Sequence, residues 1–277
     1  MSGCRMSFVL FSTLFLFVAA AGAAKKPSVL ESTDVAPGEE LRLDLDAGAR
    51  LEIKGVTGRV QITRSEGTET VVRFVRAEGP VEPRFTLLRH DEGATLCVVH
   101  PSPNPKKQNE CVPGRKGRLY EGSNKSWSDV AFEVAIPDGV HFRSILARGT
   151  VEANAGASDL ELELIAGDIT VVDGGSRVID AKNTAAGTID AIIAPTSMLP
   201  QKRVVRLHSS TGNVRATVPT SIPISYFISS DRPVITPWKL APKAGAGQMG
   251  TLGPAGDPAL DLTLNTALQG TIELRKP

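Results

Sequence analysis

Aromatic residues make up only 5% of this 277-residue chain, and charge of neither sign predominates. The 31 basic residues nearly balance the 30 acidic residues, so the composition gives no electrostatic basis for binding nucleic acid. The scarcity of aromatic rings argues against a carbohydrate cleft lined by stacking side chains. Apolar residues at helical spacing are also absent, whereas glycine and β-branched residues are frequent, so the composition favours narrow all-β cores.

Cysteine is scarce too, since the chain has three, and Cys4 precedes the first apolar run. An isolated pair of cysteines in an exported chain predicts one disulfide, here between Cys97 and Cys111. Closing that loop contributes ~3 kcal/mol in the chain-entropy model. Two free thiols or a metal-binding pair are the alternatives, but no Cys-x-x-Cys spacing supports a metal site.

No apolar run is long enough for a membrane span, including the one near the N-terminus from Phe8 to Ala20. Arg5 precedes that run and Ala21-Gly22-Ala23 follows it, which is the pattern of a signal peptide over residues 1–24; a membrane anchor is the alternative. We therefore expect an exported protein of the periplasm or cell surface, with no transmembrane segment in the mature chain. Residues 25–37 are polar and predict a flexible mature N-terminus, followed by one domain over residues 38–277.

What the chain does have is a recurring five-residue phrase, in which glycine and a polar residue precede two apolar residues separated by one position. The phrase occurs at Gly58–Ile62, Gly149–Ala153, Gly167–Val171, Gly187–Ala191, Gly212–Ala216 and Gly270–Leu274. Three consecutive intervals between these glycines are 18, 20 and 25 residues. A turn and a short alternating strand, repeated at about this period, predict a stack of short β-strands.

The region from residue 100 to residue 129 interrupts this pattern with prolines, glycines and basic residues. It predicts an irregular insertion whose first half is tied down by the Cys97–Cys111 disulfide. Long loops of this kind are either functional or merely solvated. The functional hypothesis is a basic surface for anionic envelope polymers, surface glycans or an envelope protein, with cation–π support from the indole ring. Its candidate residues are Lys106, Lys107, Arg115, Lys116, Arg118 and Trp127.

No catalytic, metal or cofactor site is predicted. Gly245–Gly250 matches a dinucleotide fingerprint by letters but lacks the preceding strand and following helix. The four histidines lie far apart, and Asp44 and Asp46 alternate with leucines, as expected of a solvated strand face rather than a calcium site. An enzyme hypothesis would place a set of charged side chains on one exposed face; the set is Arg203, Arg206, Arg215 and Asp190.

The whole pattern resembles a bacterial domain family of unknown function described as putative adhesins. The resemblance rests on Ala166–Ile169, Thr211–Val214 and Gln269–Ile272, together with the Phe132, Val134 and Ile136 alternation before Pro137–Gly139. It covers roughly residues 38–275 and implies a β-helix-like or twisted β-solenoid fold in the cell envelope, with no catalytic residues.

We therefore predict an all-β, β-solenoid or β-helix-like stack of short strands with a disulfide-tied insertion. The expected role is non-catalytic and adhesin-like or structural. A carbohydrate-active β-helix enzyme, a polysaccharide lyase or hydrolase, is the first alternative, and an aromatic-lined acidic groove would favour it. A sensory or stress-response partner protein is the second, and uncapped terminal strands would favour it.

Overall fold

The fold was examined in a computed structural model, which describes residues 27–101, 104, 110–114, 128–195, 202–241 and 247–277. These residues form seventeen strands in one mixed sheet and contain no helix. The strands are β1 Val29–Val35, β2 Glu40–Leu43, β3 Arg50–Arg64, β4 Thr70–Glu78, β5 Arg84–His90, β6 Gly93–Val99, β7 Asp129–Ile136, β8 His141–Asn154, β9 Leu160–Val172, β10 Val178–Ala186, β11 Ile189–Ile192, β12 Arg203–Ser209, β13 Val214–Thr217, β14 Ile224–Ser229, β15 Gln248–Leu252, β16 Leu260–Thr266 and β17 Ile272–Arg275. The all-β prediction is confirmed, and the predicted signal peptide lies outside the described residues.

The centre of the sheet is a parallel stack of six units, which we call rungs. Rung 1 is β3, rung 2 is β8, rung 3 is β9, rung 4 is β10 with β11, rung 5 is β12 with β13, and rung 6 is β16 with β17. Each rung has a first half, before the corner glycine, and a second half that begins with the phrase found in the sequence. On the other side of rung 1, β6 pairs with its first half and β7 with its second half.

Alternating side chains explain why these strands stack. Leu51 and Ile53 in the first half of rung 1, and Val60 and Ile62 in its second half, are all buried. The buried rows of both halves belong to one hydrophobic cluster, to which every rung contributes. Because each rung buries only a thin aliphatic stripe, the core becomes continuous only when neighbouring rungs stack.

The six phrase glycines form a ladder through the stack, because from rung 2 onward each lies directly against the glycine of the preceding rung. A Cβ on Gly149 would lie 1.7 Å from the carbonyl oxygen of Gly58, and one on Gly167 would lie 1.8 Å from that of Gly149. The same contact recurs at Gly187, Gly212 and Gly270. Glycine is therefore required at the corner because no larger residue fits between adjacent backbones.

Antiparallel strands cover one end of this stack; at the other end the first half of rung 6 is covered, and its second half, β17, has a single bridge to Ile235 within the described residues. At one end β5 pairs with β6 and β1 pairs with β5, while β4 pairs with β7 and β2 with β4. At the other end β14 lies outside rung 6, although it precedes rung 6 in the chain, and β15 pairs with β14 in antiparallel orientation. The sheet is therefore mixed and does not close, so the predicted continuous solenoid is not confirmed as such.

The sequence predicts a flexible N-terminus over residues 25–37. In the structure, residues 29–35 form strand β1 instead. Nearly all of β1 is exposed and no alternating apolar row is present. Main-chain pairing with β5, from Val29 opposite His90 to Val35 opposite Phe85, holds this strand in place instead. A sequence pattern based on burial cannot detect a strand of this kind. The other domain boundaries stay predictions.

Candidate functional site

A short segment of the insertion lies against the outward face of β3 and β6. This segment, Glu110–Gly114, we call the strap. Cys97 in β6 and Cys111 in the strap form the disulfide predicted from the sequence, with their Cα atoms 5.5 Å apart. The covalent bond thus holds a piece of irregular chain against a regular parallel sheet.

The strap buries two charged side chains that point away from the core. Glu52 and Lys54 alternate with Leu51 and Ile53 on β3, so they lie on the outer face, yet they are only 2% and 1% exposed. Lys54 Nζ donates to the carbonyl oxygens of Val112 at 2.9 Å and Gly114 at 2.7 Å. The amide of Gly114 donates in return to Glu52 Oε2 at 2.8 Å. The outer face here therefore binds the main chain of the strap.

Glu52 is also the centre of a buried polar network. Arg143, on rung 2, lies with Nη1 3.2 Å from Glu52 Oε1 and with Nε 3.4 Å from Glu161 Oε2. Thr95 Oγ1 donates to Glu52 Oε2 at 3.0 Å and lies 3.0 Å from Nε2 of His90. Since the amide of Glu92 donates to His90 Nδ1 at 3.3 Å, the neutral ring carries its proton on Nε2 and donates it to Thr95.

The environment of this network favours neutral forms of two basic groups. Burial lowers the pKa of Lys54, partly offset by attraction to Glu52. Burial likewise lowers the pKa of His90, again against the pull of Glu52. Both shifts arise because the strap and the neighbouring strands exclude water from side chains that would otherwise be solvated.

An open groove continues from this covered region across the beginnings of rungs 1 to 4. We call it the charged groove; it encloses about 830 Å³. Its lining comprises Asp46, Gly48, Ala49, Arg50, Asp91, Glu92, His141, Phe142, Arg143, Asp159, Leu160, Glu161, Arg177, Val178 and Asp180.

Ion pairs between neighbouring strands organise the charges of this groove. Arg50 pairs with Glu92, and Arg177 Nη2 lies 2.8 Å from Asp159 Oδ2. Asp159 also accepts the amide of Val178 at 2.9 Å and lies 3.8 Å from Nε2 of His141. Carboxylates outnumber guanidinium groups in the lining, so the groove presents a mainly acidic polar surface.

Neither a sugar platform nor a metal centre is found in the groove. Its lining has one aromatic ring, that of Phe142, which is 1% exposed and faces the core. Among the described residues, no cluster of three His, Cys, Asp or Glu side chains is suitable for a metal ion. The arrangement can hold polar groups of a ligand by hydrogen bonds and ion pairs.

The six candidate binding residues of the sequence, Lys106, Lys107, Arg115, Lys116, Arg118 and Trp127, lie outside the described residues. The enzyme hypothesis places four charged side chains on one exposed face, and this prediction is wrong because one of them is buried. Arg203 is 1% exposed and pairs with buried Asp173, donating as well to the carbonyl oxygens of Ser176 and Ala194 at 2.8 Å. Arg203 thereby connects the turns of different rungs, which together supply the several acceptors that a buried cation needs.

Sequence reasoning missed Glu52, Lys54 and Arg143. The first two alternate with core residues, a pattern that normally marks a solvated strand face. Their burial depends on Lys54 lying opposite Cys97 in a parallel pair, which brings the strap over them. No local pattern in the sequence reveals that pairing.

No known family model matches the chain, and no curated protein sequence matches it either. Among solved structures, a "putative cell adhesion protein" from Clostridium sporogenes ATCC 15579 aligns with 87% of this chain and all of its own, at 11% identity and a TM-score of 0.49. A "putative adhesin" from Bacteroides fragilis NCTC 9343 aligns over 85% of this chain and 96% of its own, at 12% identity and a TM-score of 0.19. A third, a "putative adhesin" from Parabacteroides merdae ATCC 43184, aligns over 86% and 96%, at 11% identity and a TM-score of 0.16.

These names match the description of the family that the sequence resembles. Similarity of this kind does not by itself assign the chain to that family.

No stretch of the described chain forms an apolar helix of membrane-spanning length.

Proposed function

We propose that this chain is an exported, non-catalytic, adhesin-like protein of the cell envelope, which holds a polymer or partner protein along the charged groove. The observation that carries the proposal is the groove itself, an open and mainly acidic surface across four rungs that includes the ion pairs Arg50–Glu92 and Arg177–Asp159. A stack of parallel strands repeats every ~4.8 Å and so places the outward side chains of successive rungs at regular spacing. Regular spacing suits an extended ligand with a repeating backbone. We also infer that the six rungs act as one β-solenoid, supported by their continuous parallel register and shared core.

Two alternatives receive less support. A carbohydrate-active enzyme would be favoured by exposed aromatic rings beside the acidic groups, whereas the ring of Phe142 in the groove is buried. A partner that docks through uncapped ends would be favoured by unprotected parallel strands at the ends of the stack. Within the described residues, antiparallel pairs β1–β5 and β14–β15 lie at those ends, and Ile235 bridges the outer edge of β17.

The test is cosedimentation of the mature protein with isolated cell envelopes across a salt series. The groove variant is Arg50→Gln with Arg177→Gln, and its matched control is Arg59→Gln, which removes a similarly exposed Arg that pairs with Glu152 on the other outer face. We expect salt-sensitive sedimentation of the wild type and the control, and weaker sedimentation of the groove variant, because surface ion contacts are screened by salt.

A second variant tests the basic insertion by reversing Lys106, Lys107, Arg115, Lys116 and Arg118 to Glu. Loss of sedimentation only in this variant would place the binding surface on the insertion rather than in the groove. Absence of sedimentation at every salt concentration would refute the adhesive role altogether.

A further inference from the structure

The strap shows in detail what an acid and a lysine on this sheet bind. Glu52 and Lys54 stand two residues apart on one strand, so both side chains project from the same outer face. Glu52 accepts the amide of Gly114, and Lys54 donates to the carbonyl oxygens of Val112 and Gly114. These contacts involve only main-chain atoms of the bound segment. The pair therefore binds the main chain of a short peptide turn, in which Gly114 has a φ of +78°.

The same pair recurs three rungs further along, where the strap does not cover the sheet. In the outer row of Glu52, successive partners are Arg143, Glu161 and Asp180. In the outer row of Lys54, the successive partners are Ile145, Glu163 and Lys182. Asp180 and Lys182 thus occupy on rung 4 the positions that Glu52 and Lys54 occupy on rung 1, about 14 Å away at the usual spacing of strands.

The rung 4 pair is accessible. Both residues are half-buried rather than buried, and Asp180 belongs to the lining of the charged groove. Lys182 Nζ lies 3.9 Å from Glu163 Oε1, with 42% of its side chain exposed. An ion pair this exposed contributes little energy, so the ammonium group can turn to a carbonyl oxygen at small cost.

We propose that Asp180 and Lys182 form a binding site for the main chain of a short peptide turn of a partner. The proposal rests on the proposed function, of which it specifies the ligand class at one end of the groove. Asp180 accepts one amide hydrogen and Lys182 donates to flanking carbonyl oxygens, as Glu52 and Lys54 do for the strap. A peptide is favoured over a glycan because the bound template is peptide and because the groove has no exposed aromatic ring for a sugar.

The experiment titrates the isotope-labelled mature protein, with its disulfide intact, with an N-acetylated and C-amidated peptide Glu-Ser-Val-Pro-Gly. This probe copies the strap, with Ser in place of Cys111. Amide chemical shifts locate binding, and the variants are Asp180→Ala and Lys182→Met. Asp190→Ala, on the second half of the same rung, is the matched control. A parallel titration uses tri-N-acetylchitotriose, which carries acetamido groups on a sugar chain.

We expect shift changes centred on β10 and its neighbours in β9 and β12. Each variant should weaken peptide binding about tenfold, the loss associated with one hydrogen bond to a charged group, while the control binds normally. The proposal is overturned by absence of shifts at millimolar peptide, by binding that the two variants leave unchanged, by shifts confined to the strap and β3, or by shifts with the sugar alone. The two proposals can fail separately. If envelopes sediment with the wild type but not with the groove variant, while the peptide causes no shift changes, this site is refuted and the proposed function is still supported.

Discussion

From rung 2 onward, the carbonyl oxygen of the preceding corner glycine occupies the space where a Cβ of the next glycine would lie. Gly167 illustrates the constraint, because it has φ of +132° and its Cβ would lie 1.8 Å from the Gly149 oxygen. Gly48 has a comparable φ of +90° but has nothing within 4 Å of the Cβ position. An L-residue would therefore have a strained backbone at both positions, but only Gly48 has space for its Cβ.

Gly167→Ala should consequently destabilise the protein much more than Gly48→Ala. The strain of a left-handed conformation alone costs about 1–2 kcal/mol, and a rung that must separate from its neighbour brings the loss at Gly167 to more than about 3 kcal/mol. Denaturant unfolding of both variants measures the difference. Equal losses would mean that the ladder can relax and that φ alone selects glycine.

A second residue, His100, should link stability to pH. Its side chain is buried directly after β6, and burial lowers its pKa from 6.5 to about 4 despite a hydrogen bond to the Gly55 backbone. The unfolded chain therefore takes up a proton below pH 6.5 that the folded chain refuses until about pH 4. Stability is full above pH 6.5 and decreases as the pH falls through this window.

Between about pH 7.5 and about pH 5 we expect His100 to account for a loss of roughly 2 kcal/mol. His100→Gln removes the titrating ring, and its unfolding free energy should depend less on pH by that amount. Denaturant unfolding at several pH values provides the measurement. Burial also lowers the pKa of His90 and His208, and because both histidines are present in both proteins their contribution cancels in the comparison. An unchanged slope in the variant would show that His100 is accessible to protons in the folded state.

At the scale of elements, the strap shows the limit of prediction from sequence. The disulfide was predictable because only two cysteines follow the predicted signal peptide, and the rungs were predictable because alternation and corner glycines are local. The grip of Glu52 and Lys54 on the strap was not, since it depends on which strand pairs with β6. The exposed strand β1 was missed for the opposite reason, because its stability comes from pairing rather than from a buried face.

The double substitution Cys97→Ala with Cys111→Ala should release this element. Loss of the cross-link should lower the free energy of unfolding by about 3 kcal/mol. Hydrogen exchange of the Gly114 amide should accelerate, because the bond to Glu52 then depends on an untethered segment. Lys54→Met is the control, since it removes the lysine contacts but keeps the covalent bond. Slow exchange at Gly114 in the double variant would show that polar contacts alone hold the strap.

At the scale of the whole molecule, the antiparallel ends and the position of rung 6 could not be predicted. Both depend on pairing between strands far apart in the chain: rung 6 follows β15 in sequence but lies between rung 5 and β14. The register of the stack, in contrast, follows from the phrases themselves, because each places a glycine at the same level and apolar residues at the same offsets. The phrases therefore define interchangeable units if the stack is a true solenoid.

Deleting residues 150–167 tests that interpretation directly. The deletion spans the 18 residues from the position after Gly149 through Gly167, so the phrase continues as Gly149-Asp168-Ile169. In this variant each remaining glycine of the ladder still lies against another ladder glycine. The first half of rung 2 now packs against the first half of rung 4. We expect a cooperatively folded protein of lower stability, because nearest-neighbour packing sets the energy of stacked repeats and the contacts of Asp159 are lost.

Deletion of residues 150–158 alone is the matched control, because it removes half a repeat and misaligns the core rows that follow. Circular dichroism and thermal unfolding compare the two. A folded full-repeat deletion beside an unfolded half-repeat deletion would establish that the rungs are equivalent units. If neither variant folds, the rungs are bound to their particular neighbours by specific contacts such as Asp173 with Arg203, and the molecule is one irreducible sheet rather than a solenoid.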